Sequence, residues 1–255
     1  MCHIGRVGAW PRMIFVQMQF RNTFLSAMAA DDMSALFPHL QEVALFEGDR
    51  LCEVGGAPTS VYFPSNSAIS VVTVMRDGRE VETSSIGCEG VAGLLPALTQ
   101  IAANSRMSVQ IGGGAVALPA ERLRERVGQS LALTSQVLRS LMVQSLQAER
   151  SAACHALHPL NARLARWLLI CEDRVNRSQM ELTQDHLGVM TGALRSSISL
   201  VASEFKDLGL IRYSRGHIEI LDRQGLEARA CECYGNDRTI RDAQLAADSG
   251  LVAVR

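Results

Sequence analysis

Seven cysteines are scattered over 255 residues without one C-x-x-C pair. An iron-sulfur cluster needs thiolates that can converge, so none is expected. Only Cys231 and Cys233 stand close together; they read as reduced thiols near the end of a last helix, with a redox or metal role as the lesser alternative. The six histidines form no metal-like pair; His155 and His158 are the only near neighbours and read as capping or solvated. No metal ligands are assigned. There is no Walker loop and no nucleophile elbow with a Ser-His-Asp order, so no catalytic residue is assigned and an enzyme is not expected. No run of about 20 apolar residues exists, which excludes a membrane-spanning helix and points to a cytoplasmic protein. A formal net charge of -1 removes any global basic signature of nucleic-acid binding. The first 21 residues lack a clear signal core and read as a disordered leader or as an extension upstream of a start at Met13 or Met18.

What is present is concentrated between Leu182 and Leu221, LTQDHLGVMTGALRSSISLVASEFKDLGLIRYSRGHIEIL. Thr183 suits an N-cap for a helix through about Met190, and Gly192 supplies a turn. Leu194, Ile198, Val201, Phe205 and Leu208 then follow at intervals of four and three, one buried stripe of a second helix. Away from that stripe lie Ser196, Ser199, Leu200 and Ser203, flanked by Arg195 and Ser197. This face is short and almost free of acid, suited to close approach to a polyanion. Gly209 ends the helix, and Leu210 to Tyr213 and His217 to Leu221 alternate like paired strands around Ser214-Arg215-Gly216. The pattern fits a winged helix-turn-helix; a helix pair with a hairpin used only for packing fits it too.

The run resembles the C-terminal domain of the Crp/Fnr family of bacterial transcription regulators, most of all in LTQDHLGVMTG, RSSIS and LGLIRYSRGHIEILDRQGLE. The resemblance implies that Arg195, Ser196 and Ser199 face bases, that Ser197 holds a phosphate, and that Thr183 and wing Arg215 belong to the same interface. The best-known members carry a glutamate and a second arginine where this chain has Ser196 and Leu200, so a different operator is expected. Physically, Arg195 can pair bidentately with guanine, and an outward Leu200 suits either a thymine methyl or a neighbouring helix. Acids slightly outnumber bases between Glu181 and Glu227, so attraction to phosphate rests on local placement of Arg195, Lys206, Arg212 and Arg215, with a shallow salt dependence.

From about Val43 to Leu118, short apolar runs are broken by Gly, Asp, Asn and Pro at regular intervals, the signature of a β-barrel or jelly roll. VYFPSNSAISVVTVMRDGREVETSSIGCEGVAG has the cadence of the cyclic-nucleotide-binding-like barrel of Crp/Fnr proteins, extending the resemblance from about Asn22 to Cys233. Gly87, Glu89, Gly90 and Arg106 are the candidate ligand residues. Ser105 rather than Arg106 falls in register with the family's phosphate arginine, and Ala148 and Glu149 stand where binders use hydroxyls. Cyclic nucleotide binding is therefore not expected, and no cofactor is assigned.

Pro119 can open a helix and Gly128 break it. A second helix, from about Gln129 to Ala156, carries Leu131, Leu138, Leu141, Met142 and Ser145 on or beside a three-four repeat. Packing on its own barrel would explain the apolar half; the resemblance implies a parallel homodimer. A third helix, Leu160 to about Val175, should turn Leu164, Trp167, Leu168 and Cys171 inward and Arg163, Arg166 and Glu172 outward.

The expected fold is α+β: an N-terminal antiparallel β-barrel or jelly roll at 22–128, a central dimerisation helix at 129–156, a winged helix-turn-helix at 157–233, and a mobile tail at 234–255. The expected function is a homodimeric DNA-binding transcription regulator meeting double-stranded DNA at a near-palindromic operator and RNA polymerase, with control by a small ligand open. The alternative is a ligand-binding module acting through protein contacts with a degenerate helix-turn-helix.

Overall fold

The structure is a computed structural model that describes residues 21–248. The leader, Arg21 apart, therefore lies outside the described residues.

Short helices α1 (Thr23–Ser26) and α2 (Ala30–Leu36) precede two antiparallel sheets. The strands are β1 (Gln41–Leu45), β2 (Arg50–Cys52), β3 (Ser60–Pro64), β4 (Ala68–Val74), β5 (Glu80–Ile86), β6 (Arg106–Ile111) and β7 (Gly113–Pro119). One sheet has the order β1-β7-β3 and the other β2-β6-β4-β5, so the expected barrel takes the form of two sheets. Ile69, Ile86, Met107, Val109 and Ala115, drawn from both, fill one core, because alternate strand residues point the same way. Helix α3 (Leu94–Thr99) interrupts the strands, and α4 (Ala120–Val127) follows them. Pro119 takes the N-cap of α4, one residue earlier than expected, and Gly128 ends it.

Helix α5 (Leu131–Leu157) starts where Ser130 accepts a hydrogen bond from the Leu133 amide. Its inward face, Leu133 and Val137, packs with Phe24, Phe63 and Leu118 in a second core. Leu141 joins that face, whereas Leu131, Leu138 and Met142 stay 82%, 60% and 58% exposed. Leu141 is thus partly engaged by the chain's own core.

Helix α6 (Leu160–Val175) opens the C-terminal part and buries Leu164, Trp167, Leu168 and Cys171 as expected. Arg166, expected outward, is 7% exposed. Its charge is matched by Asp237, reached at 2.7 Å. Strand β8 (Gln179–Glu181), helices α7 (Gln184–Thr191) and α8 (Arg195–Asp207), and strands β9 (Ile211–Ser214) and β10 (His217–Ile220) follow, then α9 (Arg223–Glu227) and α10 (Cys233–Asp248). Helix α10 occupies the described part of the stretch expected as a mobile tail from residue 234; residues 249–255 lie outside the described residues. The helix is held by Asp237 against Arg166 and Arg150 and by Tyr234 Oη donating to Asp173 at 3.1 Å. Ala68 and Ile111 of the sheets share a core with α6, α7 and α8, so the two halves meet over apolar surface. Among the described residues no helix is long and apolar enough to cross a membrane.

Candidate nucleic-acid interface

Thr183 caps α7, its hydroxyl accepting from the His186 amide at 3.3 Å. Gly192 turns the chain with φ +62°. The turn closes tightly: a Cβ on Gly188 would stand 2.9 Å from the Ala193 carbonyl oxygen, so bulk there would push the two helices apart. Gly188 carried no signal in the helical spacing, because a small residue adds nothing to an apolar stripe.

Helix α8 starts at Arg195, one residue later than the stripe implies. Leu194 is its N-cap and is 76% exposed, and Leu208 at the C-cap is 49% exposed. Ile198, Ala202 and Phe205 do the burying. This shift corrects the expected stripe at both ends and leaves Arg195, Ser196 and Leu200 on the exposed face, Leu200 at 74%. Ser197 and Ser199 are half-buried, and Ser199 Oγ donates to the Arg195 carbonyl at 3.2 Å. Arg195 itself leans over α7, donating to Gln184 Oε1 at 3.3 Å and to Asp185 at 3.4 Å. Both members of the Arg195–Asp185 pair are exposed, so exchange for another acceptor costs little.

The wing is a three-stranded sheet of order β8-β10-β9. Ser214 pairs with His217, leaving Arg215 and Gly216 as a two-residue turn with φ +49° and +83°. Positive φ at both positions defines the I′ class that matches strand twist. Gly216 accepts from the Leu182 amide at 2.6 Å, and a Cβ on Gly216 would stand 3.5 Å from Thr183 Cγ2, so the wing tip sits beside the start of α7. The structure thus brings Thr183 close to the Arg215 turn, while Arg195, Ser196 and Leu200 share the exposed face of α8.

The HTH packs on the sheets through its first helix and turn. His186 Nδ1 lies 3.1 Å from Glu47, and a Cβ on Gly192 would lie 3.6 Å from Val81 Cγ2. Burial pushes the Glu47 carboxyl above its ordinary range, His186 opposing and Glu181 adding repulsion. His155 of α5 meets the carbonyl of Met190 at 3.2 Å, and burial draws its imidazole below the usual value.

Of the candidate ligand residues, Gly87, Glu89 and Gly90 share one hydrogen-bonded loop, and Arg106 does not join them. Glu89 Oε1 accepts from the Gly87 amide at 3.2 Å and from Arg174 Nε at 2.8 Å. Arg174 covers the loop so closely that a Cβ on Gly87 would lie 2.4 Å from its Cγ. Gly90 bonds back to the Gly87 carbonyl at 3.1 Å. Arg106 is engaged elsewhere, donating through both terminal nitrogens to Glu80, at 2.7 Å through Nη1. That hydrogen-bonded pairing holds the Glu80 carboxyl below its ordinary value.

This geometry defines a winged helix-turn-helix domain joined by a long helix to a two-sheet domain. Residues 162–229 match the family described as the Crp-like helix-turn-helix domain. A 72-residue stretch, 28% of this chain, is 42% identical to the HTH-type transcriptional regulator Cmr of Mycobacterium tuberculosis and spans 28% of that protein's length. The fold as a whole is similar to a Crp/Fnr-family regulator of Eubacterium rectale, with a TM-score of 0.62 and 16% identity, covering 79% of this chain and 94% of that one. FixK2 of Bradyrhizobium japonicum is similar at a TM-score of 0.64 and 16% identity, covering 75% and 98%. The chain carries a Crp-like helix-turn-helix domain within the Crp/Fnr fold.

Proposed function

We propose that the protein is a sequence-specific DNA-binding transcription regulator of Crp/Fnr type that works as a homodimer on a near-palindromic operator. The observation that carries this reading is the outer face of α8, where Arg195, Ser196 and Leu200 stand exposed beside a wing whose tip is arginine. Arg195 reads a guanine edge, Ser196 and Ser199 tune the neighbouring positions, and Ser197 and Arg215 hold phosphates. The exposure of Leu200 favours contact with a thymine methyl over packing on another helix. Two recognition helices reach successive major grooves only when two chains pair, and the exposed Leu131, Leu138, Met142 and Ser145 of α5 offer the seam for a second copy. RNA polymerase is the partner that such a bound dimer would contact.

Any effector of the two-sheet domain differs from a cyclic nucleotide. Support comes from Glu89, whose Oε1 accepts from Arg174, and from Arg106, which is paired with Glu80.

Selection of binding sites from random DNA, with and without cyclic AMP, cyclic GMP and a cell extract, tests target and effector together. A palindromic consensus is expected, unchanged by either cyclic nucleotide. Arg195→Ala should cost about 1–3 kcal/mol on the best site and relax one base position. Unaltered preference in that variant would overturn the assignment of Arg195.

A further inference from the structure

Four side chains far apart in sequence meet where α5 ends. Cys154 lies in the closing turns of α5, His158 is its C-cap, Cys231 lies between α9 and α10, and Cys233 opens α10. One donor atom from each, three sulfurs and an imidazole nitrogen, falls within 4.8 Å of all the others. Cys154 Sγ stands 3.6 Å from Cys231 Sγ, and Cys233 Sγ stands 3.7 Å from His158 Nδ1. The three thiols are buried, at 0%, 9% and 6% exposure.

These separations suit one small ion. With zinc-sulfur bonds of about 2.3 Å, the edge of a tetrahedron of ligands is about 3.8 Å. A disulfide would bring two sulfurs to about 2.05 Å, so the spacing is that of ligands around a centre rather than of a bond. A second observation is the other nitrogen of the same imidazole. His158 Nε2 lies 3.2 Å from Glu232 Oε1, and a carboxylate on the far nitrogen is the arrangement that fixes tautomer and ring direction in histidine ligands. A third is the charge behind the cluster. Three thiolates around a dication leave one negative charge, while Arg150 and Arg166 share the single carboxylate of Asp237 and leave one positive. The Arg166 charge acts on both Cys154 and Cys233.

We propose that Cys154, His158, Cys231 and Cys233 bind one zinc ion in a closed tetrahedral site. All four positions are filled by protein, so the ion has no open place for a substrate and its role is structural. It ties α10 to the end of α5 and to the junction between α5 and α6, the point where the central helix hands over to the DNA-binding domain. Binding releases the protons of those thiols still protonated, and the ion forms four bonds with no change of oxidation state. Glu232 is a positioning residue that acts through His158.

The test uses the full chain, purified under a thiol-free reductant, with elemental analysis for zinc. One zinc ion per chain is expected, retained in the control Cys88→Ser and lost in Cys231→Ser combined with Cys233→Ser. Glu232→Gln should retain the site but bind zinc about 10–100-fold more weakly in a chelator competition. Cobalt exchanged into the unaltered chain needs no variant; it should give tetrahedral ligand-field bands with thiolate-to-cobalt charge transfer. A chain that stays free of zinc after incubation with it, a six-coordinate cobalt spectrum, or a Cys154–Cys231 disulfide found under the same reductant would each overturn the proposal.

Discussion

Arg174 of α6 donates from Nε to Oε1 of Glu89 at 2.8 Å, and both side chains are 7% exposed. This pair bolts the DNA-binding half to the loop that carries the candidate ligand residues Gly87, Glu89 and Gly90. Removing one member strands the other charge in a poorly solvated place, a loss of about 3–5 kcal/mol, whereas removing both can be nearly neutral. Glu89→Gln should therefore lower the urea midpoint sharply, and Glu89→Gln combined with Arg174→Met should recover much of it. Additive losses in the double variant would show that the pair is not coupled.

Glu82 of β5 faces the same helix. Its Oε1 accepts from Trp167 Nε1 at 3.0 Å, and its Oε2 accepts from Ser70 and Gln110 at 2.5 Å each. Burial pushes its carboxyl above the ordinary value despite those donors. The folded state thus holds this proton more tightly than the unfolded chain. The stability gained from it is complete below the unfolded carboxylate value of about 4.3 and is lost as pH rises through the folded one. Relative to Glu82→Gln, the natural chain should gain stability as pH falls from 7 towards 4. Parallel pH profiles for the two chains would mean that Glu82 does not titrate differently on folding.

Much of the C-terminal half was legible because its signals are local. The Thr183 cap, the Gly192 turn, the span of α6 and the wing turn each depend on residues within a few positions of one another. The stripe of α8 was misplaced at its ends because spacing alone does not tell whether Leu194 is the first helical residue or the cap. Strand β8 offers only Met180 inward, too little for an alternation signal, and it pairs with β10 from a distance of many residues. Helix α10 was missed because polar pairs, Asp237 with Arg150 and Arg166, hold it rather than an apolar stripe. The engagement of Glu89 by Arg174 was hidden for the same reason: 85 residues separate the partners.

Arg215 holds a backbone conformation that side chains other than glycine, asparagine and aspartate seldom adopt, with φ +49°. The left-handed region costs such a residue roughly 1–2 kcal/mol, and asparagine before glycine is the preferred pair for this turn. Arg215→Asn should therefore raise the unfolding midpoint while weakening operator binding and lowering the salt slope by about 1. The two effects have opposite signs, which separates a wing built for DNA from one built for stability. A variant that is more stable and binds equally well would remove Arg215 from the interface.

The two faces of α5 allow the dimer to be tested apart from the fold. Leu133 and Val137 are buried at 0% and 2%, whereas Leu138 and Met142, on the opposite side, are 60% and 58% exposed. Charges on the exposed side leave the chain's own core untouched, yet across a parallel pair of helices they would face their own copies and repel. Leu138→Lys combined with Met142→Lys should give a folded monomer in sedimentation, with binding to a full operator reduced towards that of a half-site. Leu133→Ala should instead cost about 2–5 kcal/mol of stability, because it opens a cavity within one chain. If the double lysine variant sediments as a dimer at the same concentration, the seam lies elsewhere than on this face of α5.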